Sequence, residues 1–299
     1  MDRIDLFRIF VRVAECASFT QAAQTLGLPR SSVSTAVQDL ETRMGARLLN
    51  RTTRRVSLTH DGTAFYDRCL RLLADIEETE GLFRKSSEHL GGRLRVDVPG
   101  RIGRLIIAPE LPDFLSRFPA IKIELGVTDR AVNLVEDNVD CAIRVGALGD
   151  STLIARRISD LKLINCASPA YLQAHGVPRT PDDLDRHHAV LYASPSTGRA
   201  EDWEWCDKGE LHTRPMHANV TVNGAEAYIA CALAGLGLIQ IPAYDVRDYL
   251  ASGALVEVMP EHRAPPLPMT LLYPHRRHLS RRLQIFIEWV VPLLQQRVA

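Results

Sequence analysis

The chain has 299 residues, 46% of them hydrophobic and 24% charged, with 36 basic and 36 acidic side chains. This length allows two or three compact units, and a net charge of zero excludes polyanion binding by bulk charge alone. Six scattered cysteines without a C-x-x-C pair exclude a disulfide scaffold and suit free thiols in a reducing compartment.

Asp2 to Glu15 is rich in apolar residues (Ile4, Leu6, Phe7, Ile9, Phe10) and predicts a first helix. Ser18 can cap a second helix, with Gln21 three residues on completing a capping box. Ala22, Ala23 and Leu26 give that helix one apolar face. Gly27 suits a helix C-terminus, Leu28 is expected to tuck into the core, and Pro29 is tolerated at the next start. Val33, Val37 and Leu40 form the buried side of a third helix. Its other side carries Arg30, Ser31, Ser34, Thr35 and Gln38, short donors and acceptors able to meet base edges and phosphates in a major groove. Arg51-Thr52-Thr53-Arg54-Arg55 follows as the tip of an expected hairpin. Such a wing places Arg51 and Arg54 over the DNA backbone or in the minor groove. Through Gly62 there are nine arginines against six acids. The alternative for the helical pair is an ordinary helical hairpin with a solvated face, which the wing that follows disfavours.

Thr59 caps an expected long helix running to about Glu88. Phe65, Cys69, Leu72, Leu73, Ile76 and Phe83 form a near-heptad seam, suited either to a second copy of the helix or to its own chain. Gly91-Gly92 reads as a hinge. Beyond it, strands alternate with helices: Leu94–Val98, a turn at 99–103 into a helix through Phe118, Ile121–Val127, a short helix over Asn133–Asn138, and Cys141–Val145. Further strands are expected around Ile154–Ile158 and Leu161–Cys166. Then come a helix from Ser168 to His175, strands at Trp203–Trp205 and His212–Thr221, an apolar helix capped by Asn223, and strands at 238–241, 255–258 and 269–273. A last helix covers 279–296. This is a βαβ pattern in two lobes, with binding expected at strand C-termini.

The segments FxxVAECASFTQAAQTLGLPRSSVSTAVQDLETRMGARLLNRTTRRVSLTHDG, FPAIKIEL, DNVDCAIRVG and ALAGLGLIQIP occur in this order across the chain. In these the chain resembles the LysR-type transcriptional regulators. The resemblance implies a winged helix-turn-helix (1–58), a linker and dimerisation helix (59–90) and a two-lobed α/β effector domain like a periplasmic binding protein (91–299). Lobe 1 would hold about 91–163 and 266–299, and lobe 2 about 164–265. It implies promoter DNA and a small-molecule effector as partners, and a homodimer through the linker helix, assembling to a homotetramer. Ser34 takes the place of a nearly constant serine of the family's recognition helix. Thr35 stands where many relatives carry Arg.

The resemblance also places the effector between the lobes. It puts Pro99, Gly100, Arg101, Ile102, Thr128, Arg144, Ser194 and Asn223 there, together with the turn from Ser194 to Thr197. A strand-to-helix turn offers backbone N–H groups to an anion, and Arg101 and Arg144 offer charge-assisted bonds to a carboxylate. An organic or aromatic acid is therefore the expected effector. For Arg144 the alternative is a structural pair with Asp140 or Glu136.

No cofactor and no metal is expected, because His187-His188 and the histidines at 275 and 278 lack ligand spacing. Cys231 reads as a buried thiol or as a redox sensor. No nucleophile–base pair argues for an enzyme. The competing reading is a small-molecule binding protein whose helical head only oligomerises it. Asp2, Arg3 and Asp5 break any signal-peptide pattern, and a cytoplasmic protein is expected.

Overall fold

The computed structural model describes residues 1–51, 56–81, 91–129, 134, 137, 139–148, 153–194, 198–274 and 279–298. The wing tip, the linker beyond Gly81, most of the helix expected over 133–138 and the 195–197 turn lie outside these. The chain forms two compact units, Met1–Arg93 and Leu94–Ala299.

In the first unit, α1 (Arg3–Cys16) starts with a full capping box between Asp2 and Asp5. α2 (Phe19–Leu26) begins at Ser18, whose hydroxyl accepts from the Gln21 N–H at 3.3 Å. α2 ends at Gly27 with φ 65°, and α3 (Arg30–Met44) ends at Gly45 with φ 67°, left-handed positions that glycine adopts without strain. Phe10, Val13, Ala22, Val33, Val37, Leu40, Leu48 and Cys69 close one core. Leu28 does not join it. It is 36% exposed, and only its backbone turns back, to the Ala23 carbonyl.

β1 (Leu49–Arg51) and β2 (Val56–Leu58) pair antiparallel as the base of the expected wing. α4 (His60–Gly81) follows, with the Thr59 hydroxyl accepting from the Gly62 N–H at 2.9 Å. The near part of its apolar seam packs on its own unit. Phe65 meets the Phe7 and Phe10 rings at 5.8 and 5.5 Å, and Cys69 and Leu73 are buried. Leu72 is left 48% exposed. The helix therefore serves its own domain first, because the trihelical core needs a fourth wall.

The second unit holds a sheet of five strands, β3 (Gly92–Val98), β4 (Ile121–Val127), β5 (Cys141–Val145), β6 (Leu153–Leu161) and β14 (Leu267–Pro274). Their order is β4-β3-β5-β14-β6. β3 and β5 run parallel, and β14 returns antiparallel between β5 and β6. From β3 the chain turns through α5 (Gly100–Ile102) and a π-helical turn (Gly103–Ile107) into α6 (Ala108–Arg117). Phe114 of α6 meets Phe286 and Trp289 of α10 (Arg281–Val298) at 5.9 and 4.8 Å. The C-terminal helix thereby completes the first lobe.

The second lobe is built on β7 (Leu163–Ala167), flanked antiparallel by β12 (Ile239–Pro242) and β13 (Val256–Val258). α7 (Pro169–His175) and a 3-10 turn lead to β8 (His188–Tyr192), which pairs parallel with β11 (His217–Val222). A bridge between Ala189 and Leu238 joins this pair to the approach of β12. β9 (Trp203–Asp207) and β10 (Glu210–Arg214) form a hairpin turned by Lys208 (φ 49°) and Gly209 (φ 86°). The single strand expected over 212–221 is thus two strands in different sheets, because Pro215 interrupts the run. α8 (Ala225–Leu233) is capped at Gly224, not at Asn223, and no side chain caps it. α9 (Ala243–Ala251) was not expected from the sequence.

Candidate DNA interface and effector site

α3 exposes Arg30, Ser31, Thr35 and Gln38, with Ser34 half buried on the same side. The opposite residues Val33, Ala36, Val37 and Leu40 are 0–1% exposed. Helical spacing of 31, 34, 35 and 38 makes one polar stripe, and the buried side fixes its direction. Arg51 ends β1, while its side chain and all of Arg54 lie outside what is described.

Glu41 and Gly62, which the sequence did not single out, and Thr59, expected only as a helix cap, hold the wing in place. One carboxylate oxygen of Glu41 accepts from the N–H groups of Leu48 and Leu49 at 2.9 and 3.1 Å. The Thr59 hydroxyl donates to the Arg47 carbonyl at 2.7 Å. At Gly62 a Cβ would fall 1.9 Å from the Leu48 carbonyl oxygen, so only glycine allows α4 to start there. A glutamate late in α3, just ahead of two leucines, was the available signal for the first of these. Glu41→Ala removes the acceptor of two N–H groups on buried residues. It should cost about 1–3 kcal/mol in chemical unfolding and weaken DNA retention without touching the polar stripe. A wild-type midpoint would show that water replaces the carboxylate.

In the second unit the expected effector residues divide. Gly100 and Pro99 form the turn, but the Gly100 N–H already donates to Asp129 at 3.0 Å. Ile102 is fully buried, so its side chain belongs to the core. Arg101 is 4% exposed and does not offer a free guanidinium. Its Nε donates to Asp245 Oδ1 at 3.1 Å, its Nη2 to the Asp245 carbonyl, and its Nη1 to both Glu226 oxygens at 3.1 Å. Arg101 lies on the first lobe, Asp245 and Glu226 on the second, so this pairing bridges them. Burial pushes the Asp245 carboxyl up to about 7, against the pull of Arg101.

Arg144 pairs with Asp97 at 2.6 Å, and of the two acids considered for it Glu136 lies outside the described residues. It also donates to the Ile143 carbonyl at 2.7 Å. The parallel pairing of β3 and β5 sets Asp97 opposite Ala142, which brings it within reach. Burial raises the Asp97 carboxyl while Arg144 pulls it down. Asp140 accepts from the Arg95 N–H at 2.9 Å. The Thr128 N–H is bonded to the Val98 carbonyl at 3.0 Å, and Ser194 bonds Glu201 through its side chain. Asn223 is exposed. Tyr192 and Tyr244 are held above the usual phenol range by burial, with Asp129 and Asp245 acting in the same direction.

Comparison with known proteins decides what these parts belong to. Residues 87–295 match the LysR substrate binding domain, and residues 4–63 match the bacterial regulatory helix-turn-helix protein, lysR family. The chain belongs to the LysR family of transcriptional regulators. Among LysR-family relatives, it is 41% identical to the uncharacterized HTH-type transcriptional regulator YhjC of Escherichia coli over 99% of both chains. It is 39% identical to the HTH-type transcriptional repressor PA14_22550 of Pseudomonas aeruginosa, over 99% of this chain and 93% of that one. The structure of CrgA, a LysR-type transcriptional regulator from Neisseria meningitidis, matches with a TM-score of 0.62 at 30% identity, covering 97% and 98% of the two chains.

This LysR-family protein is a DNA-binding transcriptional regulator with a helix-turn-helix domain and a two-lobed α/β domain, and its relatives are regulators rather than enzymes. Cys69 and Cys166 are thiols that burial pushes up to about 12, and Cys141 is raised further by the same cause. Cys231 is half buried. Among the described residues no helix is long and apolar enough to cross a membrane, and no cluster of His, Cys, Asp or Glu could hold a metal ion.

Proposed function

We propose that this regulator binds double-stranded promoter DNA through Arg30, Ser31, Ser34, Thr35 and Gln38 in the major groove, with Arg51 and Arg54 of the wing on the backbone. The supporting observation is the polar stripe of α3, held outward by a helix face that is 0–1% exposed. Two copies joined through the linker helix present two such stripes to a two-fold site, and two dimers assemble into a tetramer. Exposed Leu72 on α4 supports that pairing. The working division is a DNA-binding domain over 1–58, a linker over 59–90 and an effector domain over 91–299, in a cytoplasmic protein.

The effector is a small organic or aromatic acid. Arg101 and Arg144, which first suggested this, are already paired, so an incoming acid competes with the protein's own carboxylates. The test is a gel shift on DNA upstream of its own gene, across a panel of organic acids and across a salt series. An acid that shifts the midpoint or mobility of the complex, where its amide does not, supports the reading. A complex that no acid alters, and that an amine alters, overturns it.

A further inference from the structure

The interlobe pairing is not uniform. Arg101 is fixed along one edge by Asp245, which is 5% exposed and accepts through both its carboxylate and its carbonyl. The position of Arg101 therefore does not depend on Glu226. Glu226 is different: its side chain is 48% exposed, and it sits in the first turn of α8. Its oxygens take the remaining Nη1 of Arg101 at 3.1 Å and the Nη1 of Arg104 at 2.8 Å, and Arg104 is 61% exposed. Water screens such a pair and weakens its hold. A buried arginine whose remaining edge is covered only by a half-exposed carboxylate, with a second arginine on that carboxylate's other oxygen, forms an anion subsite with an occupant.

Charge sets the class of ligand. The Asp129 carboxylate lies 3.7 Å from where a Cβ on Gly224 would stand, next to the start of α8, and it bonds the Gly100 N–H. Arg101 is thus faced by Asp245 and Glu226 and Arg104 by Glu226, while Asp129 stands at the start of α8 and acts on Asp245. Exchange of Glu226 for one monoanion conserves the charge between the arginines, whereas a dianion adds an unmatched one beside Asp129.

We propose that Glu226 is a built-in placeholder in a monocarboxylate subsite formed by Arg101 and Arg104, and that the effector's carboxylate takes its place. This rests on the acid-effector reading above. Displacement frees the start of α8 from the first lobe while Asp245 keeps α9 tied to it, so binding is converted into a change at one helix.

The test uses the full-length chain, sodium acetate as probe and sodium chloride as the ionic control, with binding followed by calorimetry. If Glu226 fills the subsite about nine-tenths of the time, its removal raises apparent acetate affinity about tenfold. Glu226→Ala and the shape-conserving Glu226→Gln should both show this gain, and chloride should not reproduce it. Adding Arg104→Ala to Glu226→Ala should remove the gain. Equal acetate affinity in wild type and both Glu226 variants overturns displacement and leaves the acid reading standing. Acetate binding that survives loss of Arg104 overturns the location. Failure of acetate to bind any variant, together with an operator complex indifferent to every acid in the panel, overturns both readings.

Discussion

Arg101→Ala should destabilise the second unit by about 3–5 kcal/mol at pH 8, because it strands a buried carboxylate. Asp245 is 5% exposed and its partner 4%. Water cannot reach the carboxylate to replace the guanidinium. The loss should shrink as pH falls. Asp245 has a folded value of about 7, above its unfolded value near 4. The folded state therefore keeps the proton between those values, and the stability this confers is full below about 4 and gone above about 7. Without Arg101 the folded value rises further, so at pH 5 the variant carries a neutral acid and its loss is smaller by about 1.4 kcal/mol, the one unit between 7 and pH 8. Tryptophan fluorescence in a urea series reads this directly, since Trp203, Trp205 and Trp289 all lie in the second unit. An equal loss at pH 5 and pH 8 would place the energy in packing rather than in charge.

Phe10→Ala should abolish DNA retention although no polar residue of α3 is altered. Phe10 is fully buried and meets Phe65 at 5.5 Å, so it joins α1 to α4 at the centre of the first unit. Truncation of such a phenylalanine costs about 3–5 kcal/mol, and small domains hold only about 5–15 kcal/mol in total. The helical circular dichroism of the first unit should melt early, while the tryptophan transition of the second keeps its midpoint. Wild-type operator affinity in this variant would mean that the stripe on α3 does not need the core behind it.

Local chemistry was legible in the sequence. Ser18 starts α2 and Gly27 ends it as side-chain and backbone rules require, and Val33, Val37 and Leu40 face the core. The alternation of Leu94, Val96 and Val98 marked β3. What was not legible was pairing over long separations. The acids near Arg144 in sequence were the natural partners to consider, but its carboxylate, Asp97, comes from 47 residues earlier across a parallel ladder. Arg101 reaches Glu226 and Asp245, 125 and 144 residues away. The free cations expected in the cleft are paired for that reason. The seam of α4 was ambiguous in a related way. Its period is right, but period alone does not tell a partner copy from the first unit's own core, into which Phe65, Cys69 and Leu73 are packed.

We propose that the stripe on α3 is the output end of the molecule. DNase I footprinting of the full-length chain on DNA upstream of its own gene tests this most directly, with a Ser34→Ala, Gln38→Ala double variant alongside. The wild type should protect two half-sites one helical turn, or a multiple of it, apart. The variant should lose that pattern while keeping its fold and a salt-sensitive, sequence-independent affinity. The spacing between protected stretches should also change when an active acid is added. Identical protection by wild type and variant, unchanged by every acid, would show that sequence is read elsewhere than on α3.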